Sequence, residues 1–312
     1  MNPRLIDFHS HYYEQAWSLS PVPSGLLRAW PLLTDIEAQL REMDRAGIEA
    51  KVLSAPASVL VAPGQHVPGT TIERINDRFA ELVATYPRRL RALATIDAFQ
   101  GEAAVRSVER AIQELGLDGI CVDCALGEHF LDAPQARPVL QVAAELDAAV
   151  FVHPVSPPHL TERLARLGHT GVLLARGTEN AASLLALLHS ALFDDLPRLK
   201  IVFPCIGAAA LLFAGIADQE YAQEGGWGKI RPGIARKNLY VDTMGFDPAS
   251  LRFVVELLGA GHVVLGSDWP IMPIMPRQRV EEIVASLGLS QGQQAAILGG
   301  NTLKLLARHP TS

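Results

Sequence analysis

Short apolar runs rich in branched residues alternate along this chain with longer stretches in which apolar positions recur every three or four residues. The short runs cover residues 5–8, 51–54, 91–96, 119–122, 149–152, 200–203, 239–242 and 262–266. They read as continuously apolar rather than alternating, as parallel strands buried on both faces do. Between them, helical spacing predicts helices over 35–46, 72–85, 103–115, 135–146, 181–192, 248–258, 277–287 and 291–307. Gly47 and Gly116 stop two of these, and Pro87 follows a third. Eight strand–helix repeats in 312 residues predict a closed parallel barrel, the α/β class (β/α)8 TIM barrel. No linker or low-complexity stretch interrupts the pattern, so one domain over residues 1–312 is expected. Two loops are long, 12–34 after the first strand and 55–71 after the second. Both are expected at the C-terminal face, where barrel enzymes keep their sites.

Composition narrows the function classes. The chain is 49% hydrophobic and 19% charged, which leaves ample apolar surface for a core. Its formal net charge is -6, and no Lys/Arg cluster stands out, so nucleic acid and anionic membrane are not expected partners. No run is long enough to span a bilayer. Three cysteines give no disulfide framework, and the N-terminus enters the first strand without an apolar leader, so a cytoplasmic location is expected.

Candidate chemistry gathers at the predicted C-terminal strand ends. The first strand runs into His9 and His11, two residues apart and therefore expected on one face. The fifth strand ends at His153, and the eighth runs into Asp268. Three imidazoles and a carboxylate are a donor set for zinc with room for a water or a substrate oxygen. A water held there would have its pKa lowered toward ~7. Asp268 is also placed to act as a base or proton carrier. Cys121 and Cys124 form a C-x-x-C, but their three-residue spacing in a strand points them to opposite faces, and core packing is expected. His129, His159, His169, His189 and His262 are expected to be structural or on the surface. For substrate contacts the candidates are His66 on the second long loop, Trp269 beside Asp268, and the arginines Arg176, Arg28 and Arg231, of which Arg176 is preferred for a carboxylate.

These residues carry a resemblance. The runs Ile6-Asp-Phe-His-Ser-His11, Val150-Phe-Val-His-Pro154 and Val264-Leu-Gly-Ser-Asp-Trp-Pro270, with Leu196-Pro-Arg-Leu-Lys-Ile-Val202 and Asn238-Leu-Tyr-Val-Asp-Thr243, occur in the order found in the amidohydrolase superfamily. The chain resembles its amidohydrolase-related branch, that of aminocarboxymuconate semialdehyde decarboxylase and the aromatic-acid decarboxylases. The resemblance implies a metal-dependent-hydrolase barrel, one divalent metal (zinc, with manganese as the alternative), a small carboxylated substrate and a homodimer. It implies non-oxidative decarboxylation of an aromatic or unsaturated acid. The alternative is hydrolysis or hydration of a lactone, amide or enol acid. One departure bears on the chemistry: after the sixth strand the family carries a His, and here Lys200-Ile-Val-Phe-Pro-Cys205 places Cys205 at that point. Cys205 is an extra metal ligand, a catalytic proton carrier, or an inert filler that leaves a low-activity relative. A second departure, the absence of a Lys from the fourth strand, favours one metal over two.

Overall fold

The computed structural model describes residues 3–190, 192–213, 216, 237 and 239–307. Eight parallel strands follow one another around a single sheet: β1 (Ile6–His11), β2 (Ala50–Ser54), β3 (Leu90–Thr95), β4 (Gly119–Asp123), β5 (Ala149–His153), β6 (Lys200–Phe203), β7 (Leu239–Asp242) and β8 (Val263–Val264). The last strand returns to the first. Phe8 N donates to Leu265 O at 2.7 Å, Asp268 N to His9 O at 2.9 Å, and His11 N to Trp269 O at 2.9 Å. The barrel predicted from the repeat is therefore present, with every predicted strand in place.

Side chains divide into two shells. Ile6, Phe8, Ala50, Val52, Leu93, Cys121, Ala149, Phe151, Val202 and Val264 fill the interior, and Leu305 and Leu306 close its N-terminal end. The intervening residues face out into a larger apolar layer under the helices. The longer helices are α1 (Ile36–Ala46), α2 (Gly69–Thr85), α3 (Glu102–Glu109), α4 (Arg137–Glu145), α5 (Gly168–His189), α6 (Pro248–Leu258) and α7 (Arg277–Ala285). Asp35 caps α1 by accepting from Ala38 N, and Gly47 ends it at φ 74, a left-handed conformation glycine adopts without strain. Among the described residues, no helix is long and apolar enough to cross a membrane.

Two local features depart from the sequence pattern, and both shape the site. The first is a bulge in β1. Asp7 pairs with Lys51 and Ser10 with Leu53, so Phe8 and His9 together oppose Val52. A regular strand with Phe8 inside would turn His9 and His11 outward. The extra residue restores both to the interior: the ring of Phe8 lies 5.5 Å and that of His9 4.7 Å from Phe151. The second is α5, which starts at Gly168 rather than at the predicted residue 181. Its first half is glycine-rich and intrinsically helix-poor. Those glycines serve close approach: a Cβ on Gly177 would lie 2.7 Å from Ile206 O, and one on Gly171 2.1 Å from Leu164 O. The helix thus packs backbone to backbone against residues 205–213 and carries Arg176 toward the barrel mouth.

Candidate metal centre

Four of the predicted residues converge at the C-terminal end of the barrel. His9, His11, His153 and Asp268 each offer one donor atom, and these atoms lie within 4.8 Å of one another. All four are buried. The three imidazoles meet edge to face, with centroids 5.1 Å apart for His9–His11, 5.9 Å for His9–His153 and 5.1 Å for His11–His153. Asp268 reaches them from a backbone with φ 62, unusual for a residue with a side chain and concentrated at functional positions.

Hydrogen bonding fixes which nitrogen of each β1 histidine faces the centre. His9 Nδ1 lies 2.6 Å from Asp242 Oδ2 and donates to it. Asp242 is held in turn by Cys205 N at 2.8 Å and Met244 N at 2.9 Å, both on Oδ1. Gly266 makes this pairing possible, since a Cβ there would lie 2.8 Å from the Cβ atoms of both His9 and Asp242. For His11, the Ser54 hydroxyl donates to Ser10 O at 3.0 Å, so its oxygen accepts from His11 Nδ1, also at 3.0 Å. Each ring, when neutral, thus turns a bare Nε2 inward. His11 Nε2 is 3.0 Å and His9 Nε2 3.5 Å from the same oxygen, Asp268 Oδ1.

Lone pairs facing a carboxylate oxygen need a positive charge between them. Buried His9 Nε2 and His153 Nδ1 make no hydrogen bond. Burial drives His11 below the usual imidazole range despite Asp268, and drives His153 well below it with help from Arg176 and the other two rings. These rings are neutral and available to a cation. Burial also works on His9, but Asp242, Asp268 and Asp7 outweigh it and hold its pKa above 6.5. For Asp268 burial is likewise outweighed, by the contact with His11 and the charges of His9, His11 and Arg176, so it stays ionised. The donors are nitrogen and oxygen only, a set that suits several divalent metals. The histidine–carboxylate pair His9–Asp242 is the outer support such ligands use.

The other predicted contacts sort differently. Arg176 is half-buried on α5, bonded to Ser156 Oγ at 3.3 Å. Its charge bears on His153, Asp268, Tyr13 and Asp123. It has no carboxylate partner within 4.0 Å among the described residues. Cys205 lies beside the metal-binding group at the start of the segment after β6. Its thiol is outside the metal-binding group, and burial, with Asp242 and Asp247, pushes its pKa up to about 12, which keeps it protonated. Its contribution is the backbone N–H that holds Asp242. Trp269 is 2% exposed and packs in the outer layer, with Lys51 Nζ 4.6 Å from its ring centroid. The turn at Asp268 sends the carboxylate inward and the next side chain out. His66 is half exposed and outside the group of four donors, with Nδ1 2.9 Å from Asp97 Oδ2. Arg28 is exposed, and Arg231 lies outside the described residues. Cys121 lies in the barrel interior and Cys124 in the outer layer. His262 bonds Leu239 O at 2.9 Å near the N-terminal end of the barrel.

Sequence reasoning passed over Asp242, Ser54 and Asp123. Each is a polar residue at the C-terminal end of a strand, and that position was the available signal.

Comparison with known proteins finds relatives along most of the chain. The family described as amidohydrolase matches residues 6–308. Gamma-resorcylate decarboxylase of Polaromonas sp. is 29% identical over 302 residues, covering 88% of this chain and 90% of that protein. The 2-amino-3-carboxymuconate-6-semialdehyde decarboxylase of Dictyostelium discoideum is 25% identical over 283 residues, covering 88% and 77%. Among solved structures, a dihydroxybenzoic acid decarboxylase from Polaromonas sp., with manganese and the inhibitor 2-nitroresorcinol bound, superposes with a TM-score of 0.81 at 26% identity, covering 98% of this chain and 97% of that one.

Proposed function

The chain belongs to the amidohydrolase family, and from that premise we propose a metal-dependent, non-oxidative decarboxylase of a small aromatic carboxylic acid bearing a ring hydroxyl. The observation that carries this reading is the buried convergence of three imidazoles on the ionised Asp268, with the charge of the half-buried Arg176 bearing on the same group. His9, His11, His153 and Asp268 are the proposed ligands. When bound, the divalent ion supplies Lewis-acid stabilisation of charge on the substrate oxygens. We favour zinc, with manganese as its competitor, since nitrogen and oxygen donors suit both. The relatives support the reaction class, for they are decarboxylases of small carboxylated acids.

The protein's own groups divide the work. Arg176 receives the substrate carboxylate through charge-assisted hydrogen bonds. Asp268, ionised, takes the proton of the ring hydroxyl and delivers it to the ring carbon that carries the carboxylate. The carbon–carbon bond then breaks, its electron pair returns to the ring, and carbon dioxide leaves. The resulting phenolate regains a proton from water. Asp242 and Ser54 keep the two β1 imidazoles in one tautomer, and Phe151 forms the dry floor. Cys205 moves no proton. One domain over residues 1–312, a homodimer and a cytoplasmic location complete the proposal.

The test is carbon dioxide release from hydroxybenzoates by metal-loaded protein, followed with Arg176→Ala. A kcat/KM that falls about 10- to 100-fold in the variant, mainly through a raised KM, is expected for loss of a charged carboxylate contact. Acid release from lactones or amides, with no carbon dioxide from any hydroxybenzoate, overturns the decarboxylase reading.

A further inference from the structure

Asp123 ends β4 beside the metal-binding group without belonging to it. The inward series of β4 includes Cys121, which packs in the interior with Phe151 of β5. Two residues further on, Asp123 pairs in register with His153. Asp123 therefore stands on the barrel's inner face, one strand from a proposed ligand. It is the only residue of β4 with residual exposure, at the mouth end of the strand. The second long loop reaches over to it: Ser58 N donates to Oδ2 at 2.7 Å and Ser58 Oγ to Oδ1 at 2.8 Å. A carboxylate has about four acceptor sites, and one is left on each oxygen. Among the described residues, no Lys, Arg or His lies within 4.0 Å of it. Burial pushes its carboxyl up to about 7, against the Ser58 hydrogen bonds. It is a desolvated acceptor with spare capacity, facing the space above the metal-binding group.

Resting on the decarboxylase reading, we infer that Asp123 is a specificity-determining residue that accepts a hydrogen bond from a second donor on the substrate ring, a hydroxyl or amino group. The metal-binding group and Arg176 engage the carboxylate and the first ring oxygen. Asp123 is left to the far edge of the ring. A carboxyl oxygen there accepts a hydrogen bond, so it favours a hydroxyl or amine on the ring over a bare C–H edge. A polar site left unpaired by the wrong substrate rejects it strongly. The preferred substrates are then dihydroxy or amino-hydroxy aromatic acids rather than monohydroxy ones.

The test uses the manganese-loaded full chain and two chromophoric ligands, 2-nitroresorcinol and 2-nitrophenol, which differ by one hydroxyl. Affinity is read from the change in visible absorption, so turnover is not required. The wild type is expected to bind the dihydroxy ligand about 10- to 100-fold more tightly. In Asp123→Ala the ratio falls to within about threefold of one, while metal content stays that of the wild type. In Ser58→Ala, which keeps the carboxylate and removes one loop hydrogen bond, the ratio stays high. Equal affinity for both ligands in the wild type, or failure to bind either, overturns the inference without any variant. So does a ratio unchanged in Asp123→Ala, or one lost equally in Ser58→Ala. If the wild type shows the ratio but releases no carbon dioxide from any hydroxybenzoate, the decarboxylase reading fails and Asp123 keeps its role as reader of a ring donor.

Discussion

At the N-terminal end of the barrel, Arg4, Arg88 and Arg91 keep their guanidinium groups exposed around a cavity of about 690 Å³. At the C-terminal end, His9, His11, His153 and Asp268 are 1%, 2%, 4% and 7% exposed. The charges of the first region are answered where they stand: Arg91 lies 2.8 Å from Asp118, and Arg4 donates to Arg88 O at 2.8 Å. Water covers the rest. The second region has gathered three imidazoles and a carboxylate out of water and left two of their nitrogens without a hydrogen bond. A buried polar group without a partner costs about 1–3 kcal/mol, and folding does not retain several in one place for stability. Buried nitrogens left without a partner are thus a better guide to chemistry than an open cavity.

Substitutions at the two ends should differ accordingly. His11→Ala removes a donor from the buried group and is expected to abolish metal retention and lower turnover at least about 1000-fold, read by metal analysis and carbon dioxide release. Asp242→Asn keeps the shape but takes the carboxylate from His9 Nδ1. A loss of about 10- to 100-fold in metal affinity is expected, measured by competition with a chromophoric chelator. An unchanged affinity would remove Asp242 from the account. Cys205→Ala leaves the backbone N–H on Asp242 intact, so turnover within about threefold of wild type is expected from a buried, protonated thiol. A collapse of activity there would return the thiol to the mechanism. At the other end, Arg88→Ala should change stability by no more than about 0.5 kcal/mol in a denaturant melt and leave turnover unaffected. A large loss of turnover from that end would break the contrast.

Much of this was readable from the amino-acid order. Continuous apolar runs marked all eight strands, and polar residues at their ends marked the four donors. The hidden parts were those that depend on local geometry or on partners distant in sequence. Two-residue spacing put His9 and His11 on one face, but the bulge at Phe8 and His9 decides which face that is, and a bulge leaves no periodic trace. Asp242 looked like an ordinary strand end because its partner is 233 residues away. The start of α5 was masked by glycines whose value lies in close backbone contact, Gly177 with Ile206 and Gly171 with Leu164, and not in helix propensity. Trp269 was read by its closeness to Asp268, and the left-handed backbone at Asp268 separates the two side chains.

The central claim is that the buried histidines and Asp268 form a cation site. Calorimetric titration of chelator-stripped protein with manganese or zinc tests it most directly. The account predicts saturation at one ion per chain in the wild type and none in Asp268→Ala; the absence of stoichiometric binding in the wild type, or binding that survives in both Asp268→Ala and His11→Ala, would contradict it.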